Sequence, residues 1–487
     1  MKKQEQPTGP SWRLICLLGA LVISGCDAVG PDYKRPEVEV PAAYKSATSP
    51  DSAPAQLQPN WWTLFDDPEL NELEAQAIKA NYTIQAAMAN VEQARAAARG
   101  VKSAFYPNIS FDPSVIRSRT SANVAPAAGG GGAPSRNLTN TTFTAPFDLS
   151  YEVDLWGQVR RAVEASNAQV QFSQDEYEVV LQTLEADLAQ DYFTLHFYDS
   201  QYATLTDSVD TFRKQLELTK TEFRAGLLGA ADVSSAEAQL EATITQQVEA
   251  SRQRQEEEYA IAVLLNRPPS AFSLPVQALT AAPPVVPAGL PADLLRRRPD
   301  VAAAEQNLAY ASAQIGVAMS EFYPQLTLTG DAGFESLKAS NLLDWQSRIW
   351  SLGPSVTLPL FNGGRLQAQV DQEKALYKQY LAQYQTQVLT AYQDVENALT
   401  DLHTRADEAK AQSAAVDASA ENVRLTELQF RQGLVAYLDV LDADRTLLTN
   451  QLLSEQILNE RLVSTVLLIK ALGGGWDSSP PTGNPAP

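Results

Sequence analysis

Two carboxylates three residues apart, Asp439 and Asp442, stand six and nine residues past a glycine in the stretch Phe430-Arg431-Gln432-Gly433-Leu434-Val435-Ala436-Tyr437-Leu438-Asp439-Val440-Leu441-Asp442. Their plainest chemistry is local, with Asp439 as a helix N-cap and Asp442 as a first-turn acid favoured by the helix dipole. The two histidines, His196 and His403, lie 207 residues apart, each expected on a helix surface. No His/Cys/Asp cluster, phosphate loop or nucleophile motif stands near either, so an enzyme has little to rest on. The only cysteines are Cys16 and Cys26. Asn137-Leu138-Thr139 matches a glycosylation acceptor, which the bacterial export signal described below leaves idle.

The acids belong to a segment that occurs twice. Its earlier copy reads Phe223-Arg224-Ala225-Gly226-Leu227-Leu228-Gly229-Ala230-Ala231-Asp232-Val233. Each copy predicts a helix ending at Gly, a few turn residues and an Asp capping the next helix, which makes it the tip of an antiparallel helical hairpin. Asp232 corresponds to Asp439, but Ser235 replaces the second acid.

Few Gly outside certain loops, abundant Ala, Gln, Glu and Leu, and three Met favour long helices. The formal charge of −21 becomes about −23 once residues 1–25 are removed, against the basic footprint that nucleic acid requires. Residues 1–25 read as an export signal: a charged start, then an apolar run, Leu14–Ile23, half the length needed to span a bilayer. The run ends in Ile23-Ser24-Gly25-Cys26, which resembles a bacterial lipoprotein box and implies cleavage before Cys26 and acylation of its thiol. Asp27 departs from the commonest pattern, since Asp after the lipidated Cys favours inner-membrane retention in some enteric bacteria.

Residues 26–66 then form an extended, Pro-rich strap with no helical or strand period. Repeat 1 covers 67–265. Asp67 caps a helix with Pro68 at its first position, running to about Ala104. A β-hairpin over 105–154 follows, interrupted by a Gly-rich loop at 125–134. Ile109 and Phe111 alternate with polar residues, and Phe143, Ala145, Phe147, Leu149, Tyr151 and Val153 make one apolar face. A helix from about Gln158 to Ala225 carries a heptad seam through Leu195, Tyr198, Tyr202, Leu205, Val209, Phe212, Leu216, Thr219 and Phe223. Its length is about 100 Å. The returning helix, Asp232 to Leu265, is half as long, so it and the first helix are expected to stack end to end beside the long one.

A Pro-rich crossover spans 266–290, and repeat 2 covers 291–473. Its first helix is interrupted at Pro299, and its hairpin, 322–362, follows Phe322-Tyr323-Pro324, the counterpart of Phe105-Tyr106-Pro107. Leu326 and Leu328 start one strand, and alternation from Trp350 through Leu352, Pro354, Val356 and Leu358 to Leu360 predicts the other. The tail, 474–487, is rich in Gly, Ser and Pro and is expected to be disordered.

Four strands with one lipid-ready face cannot close a barrel, and open sheet edges do not survive in hydrocarbon. Several chains must therefore share one barrel, and three would supply twelve strands. Phe105, Tyr106, Phe322, Tyr323, Trp345 and Trp350 flank the strands where an interfacial girdle belongs. The predicted fold class is mainly α with a membrane β-barrel: two internal repeats, long coiled-coil helices, and four strands per chain in a trimeric barrel.

Five segments in order carry a family resemblance: Val29-Gly30-Pro31-Asp32-Tyr33-Lys34-Arg35-Pro36, Trp61-Trp62-Thr63-Leu64-Phe65-Asp66-Asp67-Pro68-Glu69-Leu70, Arg297-Arg298-Pro299-Asp300-Val301-Ala302-Ala303-Ala304-Glu305, Leu358-Pro359-Leu360-Phe361-Asn362-Gly363-Gly364, and the paired Phe-Arg-x-Gly tips. The chain resembles, over nearly its whole length, outer-membrane efflux lipoproteins of the TolC/OprM type, in their NodT-like branch. The resemblance implies a homotrimer with a 12-stranded barrel and a helical tunnel through the periplasm. It further implies a periplasmic adaptor, an inner-membrane transporter usually of the RND class, contact with outer-membrane lipid, and neither cofactor nor catalysis.

In that family the periplasmic end closes just after the second tip, so the resemblance points to Leu438, Asp439 and Asp442 as the aperture. Six carboxylates around one axis would attract cations and repel anions, and crowded like charges make closure sensitive to pH or divalent ions. Arg224, Gly226, Arg431 and Gly433 are expected at the adaptor-docking surface. The alternative from a different class is a periplasmic coiled-coil lipoprotein with a structural or adaptor role.

Overall fold

A computed structural model describes residues 28–46, 57–121, 139–286, 289 and 291–476. The export signal, Cys26, the Gly-rich loop and residues 477–487 lie outside the described residues. The helices are α1 (Pro68–Ala80), α2 (Tyr82–Lys102), α3 (Gln158–Arg224), α4 (Ala230–Leu264), α5 (Pro291–Arg297), α6 (Pro299–Ser320), α7 (Arg365–Arg431) and α8 (Tyr437–Ala471). The strands are β1 (Asn108–Phe111), β2 (Ser114–Arg119), β3 (Thr139–Val153), β4 (Gln325–Ser336) and β5 (Arg348–Thr357). Both long helices have 67 residues and both returning helices 35, so the two repeats share one helical plan. The chain divides into two compact units, one holding residues 1–35, 92–171 and 306–382, the other 36–91, 172–305 and 383–487.

The first unit holds one antiparallel sheet, ordered β1-β3-β4-β5, with β2 also paired to β3. Opposed residues share a face, so register sorts the side chains. One face carries the rows Phe111-Phe147-Ala332-Trp350, Ile109-Leu149-Gly330-Leu352, Tyr151-Leu328-Pro354 and Val153-Leu326-Val356. The other carries Ser110-Asp148-Asp331-Ser351, Asn108-Ser150-Thr329-Gly353 and Glu152-Thr327-Ser355. Large side chains on the apolar face stay open to solvent, with Trp350 80% and Leu352 67% exposed. β1, β2 and β5 each pair along one side among the described residues, so the sheet has two open edges.

Two strand expectations are corrected. The first strand is split at Asp112 and Pro113, where proline has no N–H for the ladder. The last stops at Thr357, leaving Leu358 and Leu360 in an exposed loop before α7. Of the expected girdle, Tyr106, Phe322, Tyr323, Trp345 and Trp350 are exposed, and Tyr323 also stacks on Trp156 at 4.9 Å. The Trp156 indole also donates to Pro324 O at 2.7 Å, tying the bases of the two hairpins.

Arg161 explains the motif at the start of the strap. Its guanidinium donates to Val29 O (3.2 Å) and Gly30 O (3.3 Å) and pairs with Asp32 (2.6 Å) and Glu164 (2.7 Å). Gly30, at φ +101°, lies against Gly316 so closely that a Cβ on it would overlap the Gly316 backbone.

In the second unit the first helix does not run unbroken to Ala104. It stops at Ala80, and Asn81 caps α2, its Oδ1 accepting from Thr83 N (2.7 Å) and Ile84 N (3.2 Å). The same amide donates from Nδ2 to Leu264 O at 2.9 Å, so the end of α4 meets the start of α2. Repeat 2 does likewise: Arg298, 217 residues after Asn81, donates to Ala471 O at 3.4 Å, joining the end of α8 to the start of α6. End-to-end meeting of short helices is therefore present, but α2 rather than an unbroken first helix takes part.

Arg298 is buried and paired with Asp300 (2.5 Å) and Asp394 (2.9 Å), which gives the Arg-Pro-Asp motif its role. His196 is also buried, against expectation, whereas His403 is exposed. His196 Nδ1 sits 2.9 Å from Gln277 O and 3.2 Å from Asp199, which in turn accepts from Arg254 at 2.6 Å. Arg254 donates to Leu274 O at 2.9 Å, so this network fastens the crossover to α3 and α4. Beyond Ala471, Gly474 packs on Gln182 and Gly475 on Gln58.

Three substitutions test these contacts. Asn81→Asp keeps an acceptor for the cap but loses the donor to Leu264; Asn81→Ala loses both and destabilises by about 1–2 kcal/mol. Thermal unfolding should rank wild type above Asp above Ala, and equal midpoints for wild type and Asp would deny the junction a role. Gly30→Ala should raise hydrogen exchange in residues 28–35 while leaving peptides from α7 unchanged.

Candidate functional site at the helical hairpin tips

Both tips close in the same way. In the first, Gly226 N donates to Phe223 O (2.9 Å) and Leu227 N to Glu222 O (2.9 Å); in the second, Gly433 N donates to Phe430 O (2.9 Å) and Leu434 N to Gln429 O (3.0 Å). This double bond pattern is the Schellman motif, which needs a left-handed residue where Gly226 has φ +78° and Gly433 φ +74°. Arg224 and Arg431 occupy the last turn as expected, Arg224 donating to Lys220 O at 3.1 Å and Arg431 pairing with Glu427 at 3.4 Å. Leu227 and Leu434, 74% and 69% exposed, crown the two tips.

The acids do not sit where the sequence placed them. Gly229 and Ala436 are the N-caps, and Asp232 and Asp439 stand at the third helical position. From there each carboxylate reaches back to accept the cap residue's N–H, Gly229 N at 2.8 Å and Ala436 N at 2.9 Å. This satisfies one of the orphan donors at a helix start, the reverse half of a capping box. Asp442 lies beyond the first turn and pairs with Arg445 at 3.1 Å. Leu438 is half exposed beside them, whereas its neighbour Tyr437 is buried.

Sequence reasoning missed what holds the two hairpins together. Leu205, Val209, Phe212 and Leu216 of α3 share a buried cluster with Tyr437, Leu441 and Leu448 of α8. Polar ties cross the same seam: Gln215 Nε2 donates to Asp444 at 2.5 Å, and Thr204 donates to Glu455 at 2.6 Å. Burial pushes the Asp444 carboxyl above its usual range, with the Gln215 bond pulling it back and the Glu427 charge adding to the rise. Of the expected heptad seam, Leu205 to Thr219 is buried here, while Tyr202 and Phe223 are exposed. The polar ties share the helical spacing of the seam, which was the available signal.

Among the described residues no three His, Cys, Asp or Glu side chains gather in a way that would hold a metal ion. No described helix is long and apolar enough to cross a membrane. The geometry is that of two cross-tied helical hairpins in one unit and an apolar-faced sheet in the other.

Comparison with known proteins agrees. The chain is 31% identical over 472 residues to the probable efflux pump outer membrane protein SepC of Pseudomonas putida, covering 94% of this chain and 96% of that one. It is 29% identical over 472 residues to the outer membrane protein OprJ of Pseudomonas aeruginosa, covering 96% and 97%. The crystal structure of the CmeC outer membrane channel of Campylobacter jejuni superposes with a TM-score of 0.85 at 25% identity, over 93% of this chain and 96% of that one. The family model for outer membrane efflux proteins matches residues 73–267 and 290–474, and the chain belongs to that family.

Proposed function

We propose that three copies of this chain close one twelve-stranded barrel and continue it as a helical tunnel, forming the passive exit duct of a three-part efflux pump. The observation that carries this reading is the sheet with one apolar face, one polar face and two open edges. In hydrocarbon such a sheet must find partners for its edges, and closure among copies supplies them. Its polar face then lines the lumen. The chain is the outer-membrane component, anchored also by an acyl chain on Cys26 as the lipoprotein box implies. An inner-membrane transporter of the RND class supplies the energy, and an adaptor protein joins it to the tips. The duct itself performs no catalysis.

Leu438, Asp439 and Asp442 form the aperture at the tunnel end, one set from each copy. Asp439 is held toward its own helix start and Asp442 beside Arg445, so closure needs no separate scaffold for the acids. Arg224, Gly226, Arg431 and Gly433 set the shape and charge of the surface that meets the adaptor.

Single-channel recording in a planar bilayer tests the duct. Wild type should give small cation-selective currents that grow in the Asp439→Asn, Asp442→Asn double variant. Asp442→Asn alone is the cleaner reading of charge, because Asp439 also serves the helix start. Currents with unchanged size and selectivity in both variants would remove the acids from the aperture. Docking is tested separately by adaptor binding to the purified trimer. Arg224→Ala with Arg431→Ala should weaken it by about tenfold, equivalent to 1.4 kcal/mol, while single-channel conductance stays as in wild type.

A further inference from the structure

We infer that Glu74 and Glu185 form a buried acid pair that clamps residues 61–80 onto α3 while protonated and releases them on ionisation. Glu74 lies on α1 with no exposed surface, and neither carboxyl oxygen has a hydrogen-bond partner. Its helical neighbours Leu70, Leu73 and Ala77 belong to the same core as Trp61, Trp62 and Phe65. Glu185, on α3, is 5% exposed, and its Oε2 accepts the Trp61 indole N–H at 3.2 Å.

Among the described residues no cation pairs with either carboxyl; Arg267 of the crossover donates instead to Gln76 on α1 at 2.6 Å. From α3 come Glu178 and Tyr177, both themselves shifted upward chiefly by burial. From the short turn before α1 comes only the Trp61 indole. α4, the crossover and α8 contribute apolar side chains such as Ile261, Leu265, Phe272, Val466 and Ile469 to the surrounding core. Lys470, the cation nearest in sequence on α8, is turned toward Asp187 at 4.0 Å.

Two carboxylates buried without a cation are costly, and binding a proton removes the cost. Burial first, then the charge of Glu185, holds Glu74 well above the usual carboxylate range. Burial pushes Glu185 up to about 8, the Trp61 bond opposing and the Glu178 charge assisting. The sign follows from linkage. Groups whose pKa is higher folded than unfolded contribute stability that is fully present below about 4.5 and is lost as pH rises through about 8. Opening α1 away from α3 gives Glu74 water, so ionisation favours that local opening over global unfolding.

The pair is an addition to the fold rather than a part of its plan. At the corresponding positions repeat 2 has Pro291 and Tyr392.

Hydrogen exchange of the full-length chain in detergent, followed by mass spectrometry from pH 6 to 9 and corrected for intrinsic exchange, tests the clamp. Protection of peptides within Trp61–Ala80 should fall by about tenfold or more, since each unit of pKa displacement is a factor of ten. Peptides from α7 should hold steady. The Glu74→Gln, Glu185→Gln double variant should be flat over this range, and Glu185→Gln alone shallower than wild type. Wild-type protection that follows α7 at every pH would overturn the inference, as would an undiminished fall in either variant.

Discussion

The constraint on which the rest depends is the pairing of backbone at the sheet edges. A strand edge presents N–H and C=O groups that water satisfies and hydrocarbon does not. The sheet of this chain turns Trp350, Leu352 and Val356 outward while β1, β2 and β5 remain open along one side. Each alone would be tolerable in water; together they are what the proposed closure among copies in lipid would satisfy. The polar rows through Asp148, Asp331 and Glu152 follow from the same register, because alternation assigns the opposite face to whatever does not face lipid. A one-residue slip of β3 against β4 would exchange the two faces, so the hairpin bases must be fixed. The Trp156 bond to Pro324 O ties those bases together.

Long helices raise a second problem, since each short helix leaves unpaired carbonyls at its end and unpaired N–H groups at the next start. Here one residue per repeat stands at the joint. Asn81 accepts from the first N–H groups of α2 and donates to the last carbonyls of α4. Arg298 stands at the equivalent point, where Pro299 has no N–H to satisfy, and donates instead to Ala471 O while its charge is met by Asp300 and Asp394. The chemistry differs because the following residue differs. The joint is the same.

What the sequence revealed and what it hid divide along this line. Period-two patterning found the strands but misplaced some of their ends, and the heptad placed the first long helix to within a residue, because burial on one face repeats with backbone geometry. The tips were legible because Gly226 and Gly433 are the residues a left-handed turn demands. The break at Asn81 was hidden, as Asn-Tyr-Thr continues a helix as readily as it ends one, and only the carbonyl of Leu264, distant in sequence, decides it. The burial of His196 was hidden for the same reason: its partners Gln277 and Arg254 come from other segments. Asp439 was legible as a residue serving the helix start but misplaced by three positions, since a cap and a third-position acid bond the same end from opposite sides.

The repeats share backbone and differ in polar side chains, and the differences fall where one copy carries an extra duty. Ser235 and Asp442 part company at the tips, so only the second tip carries a second acid. His196 anchors the crossover that leaves repeat 1, while His403, after which no crossover comes, is exposed. Glu185 sits beside the turn that begins the helical unit, where Tyr392 serves in repeat 2. Duplication fixes lengths and registers because these are set by packing along whole helices and strands, which no single substitution can alter. Charged and hydrogen-bonding side chains act locally, so one copy can acquire an anchor or a buried acid pair while the other keeps the plain scaffold.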